Sequence, residues 1–183
     1  MKWTINDQNK TMMSNYLSQL ISQHKDFPKK GIVFKDVLPL LQHPNELEGL
    51  IQGMSTGQIF ESSDAIVSID ARGFIFGTAI SMKLSKPMIV ARKPGKLPGE
   101  LITHSYELEY GQNSLSIQKK AIENYQSFVI VDDLLATGGT AMCVSEMLKE
   151  AGKDITGLSV VVELGQLNAR AYLPFPVESQ IIF

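Results

Sequence analysis

The chain has 183 residues, 44% of them hydrophobic and 20% charged, which is enough apolar material for the core of one domain and excludes global disorder. A formal net charge of −2 excludes a general nucleic-acid binder, which needs a basic surface to meet phosphates, but leaves room for a local basic pocket that takes one small phosphorylated ligand. A single cysteine, Cys143, excludes an internal disulfide, and His24, His43 and His104 are too far apart for a zinc site of Cys/His spacing.

No apolar run approaches the roughly 18 residues that a membrane span needs, and the start, MKWTINDQNK, is too polar for a signal peptide. The expectation is a cytoplasmic protein with neither a membrane nor a nucleic-acid partner.

Residues 1–10 are polar and expected to be ragged. Met13, Tyr16, Leu17, Leu20 and Ile21 then recur at helical spacing, which predicts an amphipathic helix over 13–24, either structural or part of a dimer interface. The stretch DFPKKGIVFKD (26–36) carries Pro28 and Gly31 and reads as a loop with a short extended piece over 32–34. Pro44 suits the first turn of a helix whose apolar face is Leu47, Leu50, Ile51 and Met54. From there strand and helix signals alternate: AIVSID (65–70), a helix over 72–83, PMIVAR (87–92), FVIVDD (128–133), a helix over 140–151 stopped by Gly152, and ITGLSVVVEL (155–164). Near-continuous apolar strands between helices imply a mostly parallel central sheet flanked by helices, an α/β fold.

Between Arg92 and Asn113 two prolines, three glycines and no buried stripe leave about 15 residues without clear structure, more than a connector needs, so this segment reads as a lid. Alternation at Leu115 and Ile117 predicts a half-exposed antiparallel strand, hence a flexible β-hairpin flap over about 93–113.

The most informative stretch is VIVDDLLATGGT (129–140). An apolar strand ends in Asp132 and Asp133, a turn follows through Ala136, Thr137, Gly138, Gly139 and Thr140, and a helix begins. In a parallel sheet such a loop lies at the carboxyl edge, where ligands bind. Small residues let backbone N–H groups approach a phosphate, the threonines add hydroxyl donors, and the helix N-terminus adds partial positive charge. It is neither a P-loop nor a dinucleotide fingerprint. Carboxylates repel phosphate, so the acidic pair must face another part of the ligand, and a ribose diol on Asp132 and Asp133 with its 5-phosphate in the 136–140 cup fits.

VIVDDLLATGGT resembles the binding motif for phosphoribosyl diphosphate (PRPP) in type I phosphoribosyltransferases. Four further segments narrow the resemblance to the adenine phosphoribosyltransferases: DFPKKGIVFKDVLPLL (26–41), DARGFIFG (70–77), ARKPGKLPGE (91–100) and YELEYG (106–111). Together they cover about residues 26–165.

The resemblance implies the type I phosphoribosyltransferase fold, a single domain in which about 1–36 form an N-terminal helix and small base-binding hood. It implies the reaction adenine + PRPP ⇌ AMP + diphosphate through an oxocarbenium-like transition state, with Mg²⁺ as cofactor and a homodimer as the assembly. By the same resemblance, Ala136, Thr137, Gly138, Gly139 and Thr140 bind the 5-phosphate. Asp132 and Asp133 hold the ribose hydroxyls and touch a Mg²⁺ shell, and Arg72 and Lys93 meet the diphosphate. Glu109 is the acid/base residue near N7 of adenine, with Tyr110 packing over sugar or base; Glu107 is its neighbour on the same strand face. Val33, Phe34 and Lys35 match the adenine-contacting segment, and Leu164 adds an apolar wall. Position 35 departs from the family's usual arginine. A guanidinium plane can lie over a purine and an ammonium cannot, so base choice is the property this departure bears on.

Two alternatives remain at this level. One is the same fold acting on a 6-oxopurine, where an amino donor becomes a carbonyl acceptor. The other is a non-catalytic regulator that senses PRPP, which the non-basic N-terminal segment and the glutamate kept in the flap argue against.

Overall fold

The structure, a computed structural model, describes residues 7–108 and 111–183, and of 7–13, 107, 108, 111 and 112 the backbone only. The chain forms two compact units, Met1–Leu50 and Ile51–Phe183.

In the first unit, helix α1 (Asp7–Leu20) buries Leu17, and Ile21 just beyond its end is buried too. The helix starts earlier and stops earlier than the predicted 13–24. Ser22–Lys25 is instead strand β1, paired antiparallel with β2 (Val33–Asp36) so that Gln23 faces Lys35 and His24 faces Phe34. The sequence SQHK carries no apolar residue to extend the helical stripe, so cross-strand pairing decides its conformation. The β1–β2 turn uses positive φ at Asp26 and Gly31, and the Gly31 N–H donates to Asp26 Oδ1 at 2.7 Å. A 3₁₀ turn (Leu38–Gln42) with Pro39 in its first turn buries Leu40, and α2 (Pro44–Met54) begins at the predicted proline.

The second unit continues through the short helix α3 (Gln58–Glu61), β3 (Ala65–Ile69), α4 (Gly73–Leu84), β4 (Met88–Ala91), β5 (Leu101–Leu108), β6 (Gly111–Gln118), α5 (Lys119–Ile122), β7 (Ser127–Leu135), α6 (Gly139–Glu150), β8 (Asp154–Glu163) and β9 (Val177–Ile182). Its sheet runs β4-β3-β7-β8-β9 and every neighbouring pair is parallel. Both faces are covered, which explains the unbroken apolar runs: β3 is buried at all five positions. On one face Val67, Ile130, Phe128 and Val160 pack with Val144, Met147 and Leu148 of α6. On the other, α4 lies against β3 and β7, with Gly77 close over Ser68.

Strand β9 escaped the sequence reading. It is an edge strand whose VESQII sequence is mostly half-buried, so it lacks the apolar run of its neighbours. The lid segment forms the expected β-hairpin, displaced from about 93–113 toward the C-terminus. Its strands run 101–108 and 111–118, and residues 101–108, read as irregular, are regular strand. Leu115 and Ile117 form the buried face of the expected half-exposed antiparallel strand, with Ser114 and Gln118 partly exposed, and Ile102 joins the two in the core. Backbone bonds from Arg92 N to Ser116 O (2.9 Å) and Ser116 N to Arg92 O (2.7 Å) fasten the hairpin to the end of β4.

Candidate active site

Because all five strands are parallel, their carboxyl ends share one edge. The chain passes from β3 to β4 on one side and to β7 on the other, so the strand order reverses between β3 and β7, and a crevice opens at such a switch point. The segment 70–73 leaves β3 here and the segment 136–140 leaves β7, whose last residues include Asp132 and Asp133.

Asp133 ends up buried, at 5% exposure, and Arg72 reaches it across the crevice, Nε to Oδ2 at 2.8 Å. The contact is an ion pair by distance, and Asp133 Oδ2 has no aligned hydrogen-bond donor. Asp132 Oδ1 accepts the Asp133 N–H at 2.8 Å. Gly73 makes this approach possible: a Cβ there would lie 2.9 Å from Asp132 Oδ1 and 3.1 Å from Val131 O. Burial pushes the Asp132 carboxyl well above the usual carboxylate range, and the neighbouring Asp133 charge adds to it. Burial raises Asp133 as well, opposed by Arg72. The pair therefore resists carrying two charges.

The 136–140 loop follows directly. Gly138 takes φ +88° as the N-cap of α6, a conformation that favours glycine, and the Met142 N–H donates to its carbonyl at 2.9 Å. Thr137 is exposed and Thr140 half-buried, with Thr140 Oγ1 donating to Tyr106 Oη at 3.4 Å. A strand of the hairpin thus touches the loop.

A second charge pair, missed from sequence, lies beside the first. Arg92 Nε is 3.2 Å from Asp70 Oδ2, and its guanidinium lies 5.9 Å from the Phe74 ring centroid. Parallel pairing of β3 with β4 brings these residues together, a register that neither residue's local sequence reveals. Lys93, the predicted diphosphate contact, is exposed immediately after Arg92. Leu164 follows β8 directly and is half-buried, its N–H bonded to Leu135 O at 2.9 Å.

Val33, Phe34 and Lys35 belong to the first unit. Phe34 packs edge-on to Phe27 with centroids 5.2 Å apart, and Lys35 Nζ donates to Gln23 Oε1 at 2.6 Å, while burial holds the Lys35 pKa below its ordinary value. Glu109 and Tyr110 lie outside the described residues, as does the side chain of Glu107. Cys143 is buried, donates to His104 O at 3.3 Å and has its thiol pushed up to about 11 by burial, so it stays a packing residue.

Among the described residues no cluster of three or more His, Cys, Asp or Glu could hold a metal ion by itself. The adjacent Asp132 and Asp133, one with a buried oxygen lacking an aligned donor, fit a different arrangement: a hard cation carried mainly by substrate oxygens and touched by one or two carboxylates.

The model of the phosphoribosyl transferase domain family matches residues 37–172. An adenine phosphoribosyltransferase of Prochlorococcus marinus is 61% identical over 171 residues, covering 93% of this chain and 100% of that protein. One of Koribacter versatilis is 43% identical over 157 residues, 86% of each chain. Among solved structures, the adenine phosphoribosyltransferase of Rhodothermus marinus superposes with a TM-score of 0.88 at 34% identity, covering 94% of this chain and 99% of that one. The Saccharomyces cerevisiae enzyme, complexed with an imino-altritol bisphosphate and adenine, gives 0.86 at 34% identity over 93% and 99%.

Proposed function

The chain belongs to the phosphoribosyltransferase family, among its adenine phosphoribosyltransferases, and from that premise we propose how its residues divide the work. The enzyme transfers the 5-phosphoribosyl group from PRPP to adenine and yields AMP and diphosphate, a purine-salvage reaction. The observation that carries the residue assignment is the meeting of Arg72 with Asp133 beside the Gly138 turn, at the switch point of the sheet.

In this reading the 136–140 loop takes the 5-phosphate on its backbone N–H groups and threonine hydroxyls, helped by the α6 N-terminus. Asp132 and Asp133 accept hydrogen bonds from the ribose 2- and 3-hydroxyls. Arg72 and the exposed Lys93 meet the diphosphate, for which Arg72's fork gives two-point contact. As the bond from ribose C1 to diphosphate breaks, the leaving group takes the electron pair and positive charge grows on the sugar. The two aspartates beneath it stabilise that charge. N9 of adenine then bonds to C1, and Glu109 takes the proton the base sheds at N7. Val33, Phe34 and Lys35 receive adenine, and Tyr110 packs over the closed site. Asp132 and Asp133 would also contact a Mg²⁺ that arrives on PRPP, and its charge supplies electrostatic stabilisation of the diphosphate. The reading extends to a cytoplasmic homodimer, supported by the family resemblance.

Turnover of the full chain with PRPP, Mg²⁺ and each of adenine, hypoxanthine and guanine tests it, with diphosphate release as readout. Adenine alone should be consumed. Turnover of a 6-oxopurine in its place would move the enzyme to another branch of the family, and PRPP binding without turnover would make it a sensor.

A further inference from the structure

Glu163 ends β8 as a buried carboxylate, 5% exposed, one strand from the phosphate loop, since it is the register partner of Leu135. Arg170 meets it with two bonds, Nε to Oε1 at 2.8 Å and Nη2 to Oε2 at 2.7 Å. The same guanidinium donates to Val177 O at 2.8 Å and to Ser179 Oγ at 2.9 Å, and Ser179 Oγ donates to Glu163 Oε2 at 2.7 Å. Both oxygens of a buried acid are thus satisfied, and the turn holding Arg170 is fastened to β8 and β9 together.

That turn lies against the phosphate loop. Ala169 and Leu173, on either side of Arg170 in sequence, are 2% and 9% exposed and share the core cluster of Leu135 and Ala141. They are the side chains closest to Gly138: a Cβ there would stand 3.4 Å from Ala169 Cβ and 3.5 Å from Leu173 Cδ2. These are ordinary van der Waals distances, so Ala169 and Leu173 form the floor beneath Gly138, whose φ of +88° favours glycine.

We propose that Arg170, through its pair with Glu163 and Ser179, is a positioning residue for 5-phosphate binding, because it holds Ala169 and Leu173 under Gly138 and so fixes the shape in which the 136–140 loop receives the phosphate. The inference rests on the functional reading above. It assigns Arg170 no contact with substrate; the residue acts through the packing beneath the loop.

The test compares the full-length wild type with Arg170→Gln, Arg170→Lys, Ser179→Ala and the control Asp64→Asn. Asp64 lies at the opposite edge of the sheet, where its carboxylate accepts the N–H groups of Gln126 and Ser127 at 2.9 Å each, so its loss loosens the fold away from the loop. Arg170→Gln should raise the PRPP KM and the AMP Kd about tenfold, with adenine KM and kcat within about twofold of wild type. Arg170→Lys should recover part of the loss, since an ammonium cannot span both carboxylate oxygens. Asp64→Asn should lower Tm without moving the PRPP KM. An unchanged PRPP KM in folded Arg170→Gln, or an equal rise in Asp64→Asn, overturns the positioning role. If Arg170→Gln does not fold, Ser179→Ala decides: it must raise the PRPP KM about threefold, the value of one modest hydrogen bond, or the inference falls. A wild type that fails to turn over adenine would overturn the functional reading instead, and the two failures are told apart by that lane.

Discussion

Arg72 Nε lies 2.8 Å from Asp133 Oδ2, so the arginine assigned to diphosphate and the acid assigned to the ribose hold each other across the β3–β7 crevice. In the proposed reading PRPP would enter by exchanging this pair for its own charges and hydroxyls. Removing Arg72 alone leaves a buried carboxylate without its cation, which is costly; removing both partners is less so. A double-mutant cycle of Arg72→Gln and Asp133→Asn should therefore show a coupling of about 1 kcal/mol in stability. Both singles and the double variant should lose PRPP affinity. Additive stability effects, read by denaturant unfolding, would mean that the two side chains do not interact.

The titration of the acidic pair gives a prediction with an unusual sign. Asp132 and Asp133 are both raised in the folded state, by burial first and by their mutual repulsion at Asp132. Below the ordinary carboxylate range both states are protonated, and the pair's contribution is present in full. As pH climbs from there through the raised folded values, the unfolded chain has already released protons that the folded chain still holds, so stability is lost. Salt-bridged carboxylates behave in the opposite way. Asp132→Asn should remove most of this loss. Its stability relative to wild type should grow as pH rises above the ordinary carboxylate range, reaching about 1 kcal/mol at neutral pH, while activity falls. A difference that shrinks as pH rises would show that the pair is not strained by its charge.

Gly138 is held by its φ of +88°, and a Cβ there would meet Ala169 and Leu173 only at ordinary contact distance, 3.4–3.5 Å. Gly138→Ala should cost about 1–3 kcal/mol in stability and raise the PRPP KM more than the adenine KM, since the displaced atoms belong to the phosphate loop. The comparison variant is Gly152→Ala, at φ +71° after α6 with open space around it. It should show the backbone cost in Tm and no change in the PRPP KM. Equal kinetic effects from both would show that the PRPP KM follows overall stability and not the backbone of the 136–140 loop.

What the sequence made legible was set by burial. Strands β3, β7 and β8 are covered on both faces and read as apolar runs, and the 136–140 loop announced itself because small residues, two threonines and an acidic pair stand together in the chain. The hairpin was legible but the extent of its first strand was not, because the positions of β5 that face α6 are Ile102, His104 and Tyr106. Only one of these is aliphatic, and the other two are held by polar partners: His104 Nε2 lies 2.5 Å from Glu150 Oε2, and Tyr106 Oη accepts from Thr140. The pairs Arg72–Asp133, Arg92–Asp70 and Arg170–Glu163 join different elements, so their partners are chosen by strand order and register rather than by spacing.

The hairpin is fixed to α6 at His104 and Tyr106, and the second of these contacts reaches the phosphate loop itself. The chain positions that follow Leu108 hold the glutamate to which the YELEYG match gives the proton transfer. General acid–base catalysis contributes about 10²–10⁴ in rate, so Glu109→Gln should lower kcat by that much. Its PRPP KM should stay close to wild type, because the proposed reading gives the phosphate and ribose to other residues. Glu107→Gln, two residues earlier, should leave kcat within about threefold, the size expected of a charge that touches neither substrate. The acidic limb of the kcat profile supplies a second readout: it should vanish in Glu109→Gln and persist in Glu107→Gln. A larger kcat loss at Glu107, or an acidic limb that survives the change at Glu109, would transfer the proton to another group and leave the flap with the task of excluding water alone.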